Sequence, residues 1–305
     1  MSSPFARGAD AASLITTDLV RRLVAGQFPE YAELPVRPVQ HDGWDNRTFR
    51  LGEGLTVRLP SAQGYVPQIA KEHRWLPYLA PQLPLPIPTP VGLGEPADGY
   101  PFPWSIYRWL DGTTAQHAPI DDPMRFAADL ATFLSALQRI DAIGGPGFGL
   151  HSAFRGGPLA TYEAEAVLAI DRLRDELDVP AVAEVWAAAM ATQWDRPPVW
   201  FHGDVSPGNL LVRDGRLSAV IDFGTAGVGD PACETVIAWT WFTGATRAAF
   251  RAGLDLDADT WARGRGWALW KALIVLAGSR ETEPETADVQ RRVIAEVLAD
   301  HVVSR

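Results

Sequence analysis

Thirteen residues from the end of His202-Gly203-Asp204-Val205-Ser206-Pro207-Gly208-Asn209, the chain reads Asp222-Phe223-Gly224, and the sequence between is built to fold back on itself. Leu210-Leu211-Val212 and residues 217–221 are two β-like runs, and Asp214-Gly215 between them is a strong hairpin turn signal. A hairpin returns Asp222 to the neighbourhood of Asn209, so the closure needs no long disordered loop. Val199-Trp200-Phe201 is a short apolar run leading into the same place. Alone, a His-Gly-Asp reads as a surface turn and an Asp-Phe-Gly as chance. It is their joint spacing in a strand, loop and hairpin context that carries weight.

Two carboxylates and a carboxamide at these intervals suit phosphoryl transfer. That chemistry needs a carboxylate to orient and deprotonate an attacking hydroxyl, and hard oxygen ligands to hold magnesium against a polyphosphate. Asp204, Asn209 and Asp222 supply those groups.

A chain of 305 residues, 47% hydrophobic and 21% charged, is long enough for two lobes with a cleft between them. Its net charge of -10 argues against a nucleic acid partner, whose recognition rests on basic patches. Lys71 and Lys271 are the two lysines among 27 basic residues, so tasks usually given to lysine fall mostly to arginine. The single cysteine, Cys233, excludes an internal disulfide and a thiolate-rich metal site. No run approaches the ~18 apolar residues of a membrane span and the first residues lack a signal-peptide core, so a soluble, cytoplasmic monomer or homodimer is expected.

Apolar spacing predicts a helix over residues 10–25 with Asp10 as a cap, then strands over 36–40, 46–51 and 55–59. A helix over 65–76 follows, and the prolines from Pro77 to Pro90 oppose its continuation. Strands over 91–93 and 102–110 complete a small antiparallel sheet. Beyond the Asp111-Gly112 turn the pattern is mainly helical, with helices over 122–141, 158–177 and 180–194 and again from Pro231 onward.

Taken together, these motifs resemble the aminoglycoside phosphotransferase family, the small-molecule branch of the protein-kinase-like fold. The family's loop reads H-G-D-x-x-x-x-N, and Gly203 here stands where protein kinases usually carry arginine. The resemblance implies an α+β, bilobal fold: a nucleotide-binding lobe over residues 1–107, a hinge at 108–112, and a helical lobe over 113–305 holding the catalytic loop and acceptor pocket. It implies Asp204 as catalytic base, Asn209 and Asp222 as Mg2+ ligands, and His202 as their organiser. Arg58 stands where a kinase carries its phosphate-contacting lysine, with Glu72 as ion-pair partner, and the hinge backbone around Arg108 and Leu110 would meet the base of ATP or GTP. Tyr107 would be a bulky gatekeeper at the end of that strand. His41-Asp42-Gly43-Trp44-Asp45-Asn46 occupies the place of the phosphate-positioning loop but is glycine-poor, and an ordinary hairpin turn is the competing account.

The stretch Gly229-Asp230-Pro231-Ala232-Cys233-Glu234 is similar to the family's G-D-P-x-x-D with one methylene added at its end. Asp230 reads as a cap for the helix opening at Pro231, and Glu234 has no role assigned. Two readings of the acceptor stay open. Glu163, Glu165, Asp171, Asp175, Glu176, Asp178 and Glu184 surround a polycation or form a solvated helix face. Trp239, Trp241, Trp261, Trp267 and Trp270 wall an acceptor pocket or pack the core. The expected activity is transfer of the γ-phosphate of ATP or GTP to a small-molecule hydroxyl, an aminoglycoside or related antibiotic. The alternatives are a choline, homoserine or sugar kinase and a nucleotide-binding pseudokinase.

Overall fold

The computed structural model describes residues 10–39 and 45–304. Helix α1 (Thr17–Gln27) starts later than the sequence predicts, because its N-cap is Thr16 and not Asp10. Thr16 has extended backbone and its side chain accepts from the Leu19 amide, whereas Asp10 accepts from Ala12 and opens a separate single turn over Ala12–Leu14. The apolar face of α1 (Leu19, Val20, Leu23, Val24) packs with Phe49, Leu51, Val57, Leu59 and Ile106 of the sheet into one core.

That sheet contains β1 (Val36–Pro38), β2 (Asn46–Leu51), β3 (Leu55–Pro60), β4 (Pro90–Gly94) and β5 (Trp104–Arg108), antiparallel in the order β1-β2-β3-β5-β4. Arg58 sits in its middle strand, opposite Thr48 on β2 and Ser105 on β5. Helix α2 (Val66–Leu79) runs through Pro77, further than predicted. Proline removes one backbone bond there, and burial of Leu76 and Leu79, each 1% exposed, outweighs the loss of a single bond close to the helix end.

The rest is mainly helical: α3 (Pro123–Arg139), α4 (Glu163–Arg172), α5 (Val179–Met190), α6 (Ile237–Thr240), α7 (Gly244–Ala252), α8 (Ala258–Ser279) and α9 (Pro284–Val303). The single helix expected over 158–177 is interrupted, with a 3-10 turn at Leu159–Tyr162 preceding α4. Tyr162 is anchored elsewhere: its hydroxyl donates to the Ala153 carbonyl at 2.6 Å and its ring stacks on Trp270 at 3.9 Å. Helix α8 threads the centre of this region, and Trp261, Trp267, Leu269 and Leu273 on it are buried.

Short strands flank the two motifs at residues 202–209 and 222–224. Strand β6 (Thr113–Thr114) pairs with β8 (Leu210–Arg213), which pairs with β9 (Arg216–Val220), and β7 (Val199–Phe201) pairs with β10 (Gly227–Gly229). The predicted hairpin is formed, its turn made by Asp214 and Gly215 at φ 51° and 70°. The Ile221 amide donates to the Asn209 carbonyl at 2.9 Å, so the hairpin closes at its open end.

Candidate active site

The loop after β7 is held from beneath by one buried acid. Glu234 is 0% exposed, and its two carboxylate oxygens each accept a backbone N–H at 2.8 Å, one from His202 and one from Gly203. Burial pushes the Glu234 pKa up, and the neighbouring His202 and the two amide bonds oppose that shift. Gly203 adopts φ 85°, and a Cβ there would lie 2.9 Å from the Thr225 carbonyl oxygen, so the glycine is required by both backbone and space. His202 is fully buried, with its Nδ1 accepting from the Asp204 amide and its Nε2–H donating to the Ile221 carbonyl. Its ring lies 4.6 Å from Phe223. One side chain thus ties the loop carrying Asp204 to the residue preceding Asp222.

Asn209 fixes Asp204 in turn. Its Nδ2 donates to the Asp204 carbonyl at 2.9 Å and to Asp204 Oδ2 at 3.0 Å. Both partners are acceptors, so the amide nitrogen faces Asp204 and the Asn209 side-chain oxygen is left for another ligand. Asp222 adopts a left-handed backbone (φ 66°, ψ 67°), a conformation uncommon outside glycine that swings its carboxylate out of the strand line.

Arg58 links the sheet to this cluster. Its guanidinium is 3.6 Å from Glu72 and 3.2 Å from Asp222 Oδ1, and it lies over the Tyr107 ring at 5.7 Å. Burial disfavours its charge, but Glu72 and then Asp222 outweigh burial and raise its pKa. Tyr107, 2% exposed at the back of the cleft, donates its hydroxyl to Glu72. The expected set Asp204, Asn209, Asp222, Arg58, Glu72 and His202 is therefore one contiguous network.

The hinge residues divide. The Arg108 amide is already spent on the Thr89 carbonyl, so its N–H is not open to a base. Leu110 lies between β5 and β6, and its backbone forms no hydrogen bond with a described residue. Of the loop expected to position phosphates, residues 41–44 lie outside the described residues.

Sequence reasoning gave no task to Asp45, Lys71, Glu234 or Arg155. Asp45 faces the same cleft: burial first, then the Asp222 charge, push its pKa up to about 6, with a smaller contribution of the same sign from Asp204. Lys71 donates to the Gly224 carbonyl at 2.6 Å and the Ala226 carbonyl at 2.8 Å and meets His151 Nδ1 at 3.0 Å, pinning the segment after Asp222 to α2. Burial pushes its pKa down to about 7. Lysine is so rare in this chain that composition alone singles out Lys71, next to Glu72, along with Lys271. Arg155, whose guanidinium is 3.9 Å from Asp204, had none.

The acidic residues of α4, α5 and the segment between them are largely engaged away from this cleft. Asp171 pairs with Arg174, Asp175 with Arg280, Glu176 with Arg280 and Arg291, and Glu184 with His301, while Asp178 caps α5. The solvated-face reading holds for these five. Trp239, Trp261, Trp267 and Trp270 are between 2% and 7% exposed, so they pack the core and leave no broad aromatic wall. Asp230 accepts from Ala232 as the expected cap and also pairs with the buried Arg263 at 2.7 Å.

A sheet with one buried cation at its centre, set over a hairpin-borne Asp–Asn–Asp cluster, is the architecture of a protein-kinase-like phosphotransferase. The model of the phosphotransferase enzyme family matches residues 36–267, and the chain belongs to that family. It is similar to hygromycin-B 4-O-kinase of Escherichia coli, at 24% identity over 85% of this chain and 87% of that protein. Among solved structures, the GDP and kanamycin complex of APH(2")-IIia superposes with a TM-score of 0.69 at 22% identity, covering 92% of this chain and 99% of the other. Macrolide 2'-phosphotransferase MphH from Brachybacterium faecium gives 0.60 at 21% identity, with 91% and 97% covered. These likenesses establish the bilobal fold. Among the described residues no helix is long and apolar enough to cross a membrane.

Proposed function

We propose that this phosphotransferase moves the γ-phosphoryl group of ATP or GTP to a hydroxyl of a small molecule, with Asp204 as the base that orients and deprotonates that hydroxyl. The observation that carries the reading is the bridge from Arg58 to both Glu72 and Asp222, which sets a buried cation beside the Asp204–Asn209 pair. Asn209 holds Oδ2 of Asp204, leaving Oδ1 to accept the proton. Arg58, kept in place by Glu72, contacts the phosphates through its planar fork. Leu110 offers the free hinge backbone for the base, with residues 1–107 forming the nucleotide lobe and 113–305 the acceptor lobe.

Mg2+ fits the donor set. Asp222 and the free oxygen of Asn209 are hard oxygen ligands, and Mg2+ completes its shell with phosphate oxygens and water in place of a full protein cage. Asp45 supports this: burial first, then the Asp222 charge, push its pKa up, so a cation beside these carboxylates is favoured there. When bound, Mg2+ would neutralise phosphate charge there. The relatives named for hygromycin, kanamycin and macrolide make an antibiotic hydroxyl the first acceptor to examine. The retained Asp–Asn–Asp set disfavours a pseudokinase, and a cytoplasmic site would give access to nucleotide triphosphates.

Transfer of labelled γ-phosphate from ATP and from GTP to aminoglycosides, macrolides, choline, homoserine and sugars tests the reading. Asp204→Asn is expected to lower turnover about 10²–10⁴-fold with nucleotide binding retained, the usual range for a general base. Wild-type turnover in that variant would overturn the assignment.

A further inference from the structure

Phosphoryl transfer, as derived above, leaves two cations, Arg155 and Lys271, without a task. Arg155 follows two consecutive non-glycine residues at positive φ, Ala153 (48°) and Phe154 (54°). Such residues are strained and persist where packing over-determines them. The packing is present: the Phe154 amide donates to the Gly149 carbonyl, Tyr162 donates to the Ala153 carbonyl, and the Asp230 amide donates to the Gly156 carbonyl. The result is a fixed loop that carries the Arg155 guanidinium to 3.9 Å from Asp204 Oδ1, with its side chain 19% exposed.

That distance is an ion pair and not a hydrogen bond. Arg155 makes no side-chain hydrogen bond with any described residue, so a nearly buried fork of five donors is unspent. Lys271 approaches from α8, one residue after Trp270, whose indole N–H donates to Glu165 at 3.2 Å. Arg263 and Arg265 on the same helix are paired with Asp230 and Asp300, but Lys271 has no ion pair or hydrogen bond with a described residue. The residue is exposed, and its pKa is lowered, by partial burial first and the Arg155 charge next, while Asp204 and Glu165 act in the opposite sense. Tyr162 ties the two segments together, donating to the Ala153 carbonyl in the Arg155 loop and stacking on Trp270 next to Lys271, and an anion beside both cations offsets their repulsion.

We propose that Arg155 and Lys271 form an oxyanion-binding pair beside Asp204, taking a carboxylate, phosphate or sulfate group of the acceptor or the phosphoryl group in transfer. This rests on the phosphotransfer reading. An acceptor whose cationic groups had to face this wall would be repelled.

The test uses the full chain, wild type against Arg155→Gln, Lys271→Gln, the double variant and Arg155→Lys, each checked for an unchanged melting profile. Sulfate and malonate binding is measured by calorimetry with and without a saturating magnesium complex of a non-hydrolysable ATP analogue. Acceptor-free hydrolysis of ATP is measured in parallel. The expected result is a loss of at least tenfold in probe affinity or in hydrolysis in the double variant, partly rescued in Arg155→Lys. Lost hydrolysis assigns the pair to the transferring phosphoryl group. Lost probe binding with hydrolysis intact assigns it to an anionic acceptor group. Probe affinity and hydrolysis both within twofold of wild type, or probes that bind neither protein alongside unchanged hydrolysis, would overturn the proposal. Failure of the phosphotransfer reading has a different signature: wild type that neither binds nor hydrolyses the magnesium nucleotide, whatever the probes do.

Discussion

Replacing Glu234 by glutamine isolates what holds the loop carrying Asp204. The carboxylate is 0% exposed and accepts the His202 and Gly203 amides at 2.8 Å each. Glutamine keeps the shape and one acceptor but turns an NH2 toward the second amide, leaving two buried donors without acceptors. Each such donor costs about 1–3 kcal/mol. Part of that is offset, because the neutral side chain no longer bears the desolvation that raises the Glu234 pKa. A net loss of about 2–3 kcal/mol follows, and at roughly 2–4 °C per kcal/mol for a chain of this size Tm falls by about 5–10 °C. Asp204 lies one and two residues beyond the released amides, and a displacement near 1 Å costs up to about 10²-fold in rate. The assay is steady-state transfer, or acceptor-free nucleotide hydrolysis, beside a melting curve. We expect kcat down about 10–100-fold and the nucleotide KM within about twofold, because Arg58 and Glu72 make no contact with Glu234. Wild-type Tm and kcat in the glutamine variant would refute the reasoning, and a raised KM with unchanged kcat would place the effect at the wrong end of the cleft.

Two further outcomes are expected. Arg58→Met should raise the KM for magnesium nucleotide at least tenfold and lower Tm, since it leaves Glu72, 5% exposed, without its cation, and Arg58→Lys should fall between; kinetics in which Lys and Met both match wild type would exclude a phosphate contact. Asp45 contributes stability that is present below its unfolded pKa near 3.8 and is lost as pH rises through about 6, because burial and then Asp222 raise its folded pKa. The Tm of ligand-free wild type minus that of Asp45→Asn should thus become more negative between pH 4.5 and pH 7, and a difference that stays flat would show that the folded pKa of Asp45 is not raised.

What the sequence disclosed is what local rules govern. The hairpin could be read because Asp214-Gly215 has a short-range turn signature and its flanking strands alternate visibly. Strand β2 was legible from residue 46 to 51 for the same reason. Helix starts were less so: Asp10 and Thr16 are both competent caps, and only the packing of Leu19, Val20, Leu23 and Val24 onto the sheet selects Thr16. The break between Tyr162 and Glu163 follows from a ring stacked on Trp270, more than a hundred positions away, which no periodicity contains. The site divides along the same line. Asp204, Asn209 and Asp222 sit in two short motifs at a legible spacing, whereas Glu234, Arg155 and Lys71 reach distant backbone or side chains. A motif therefore reveals the groups that do chemistry more readily than the groups that aim them, because an aiming residue is defined by what it reaches in space. The case of Glu234 makes this concrete: the similar family motif prepares for an aspartate at that position. Only the two amide distances explain why a carboxylate must be there at all, and why a side chain one methylene longer still spans to both N–H groups.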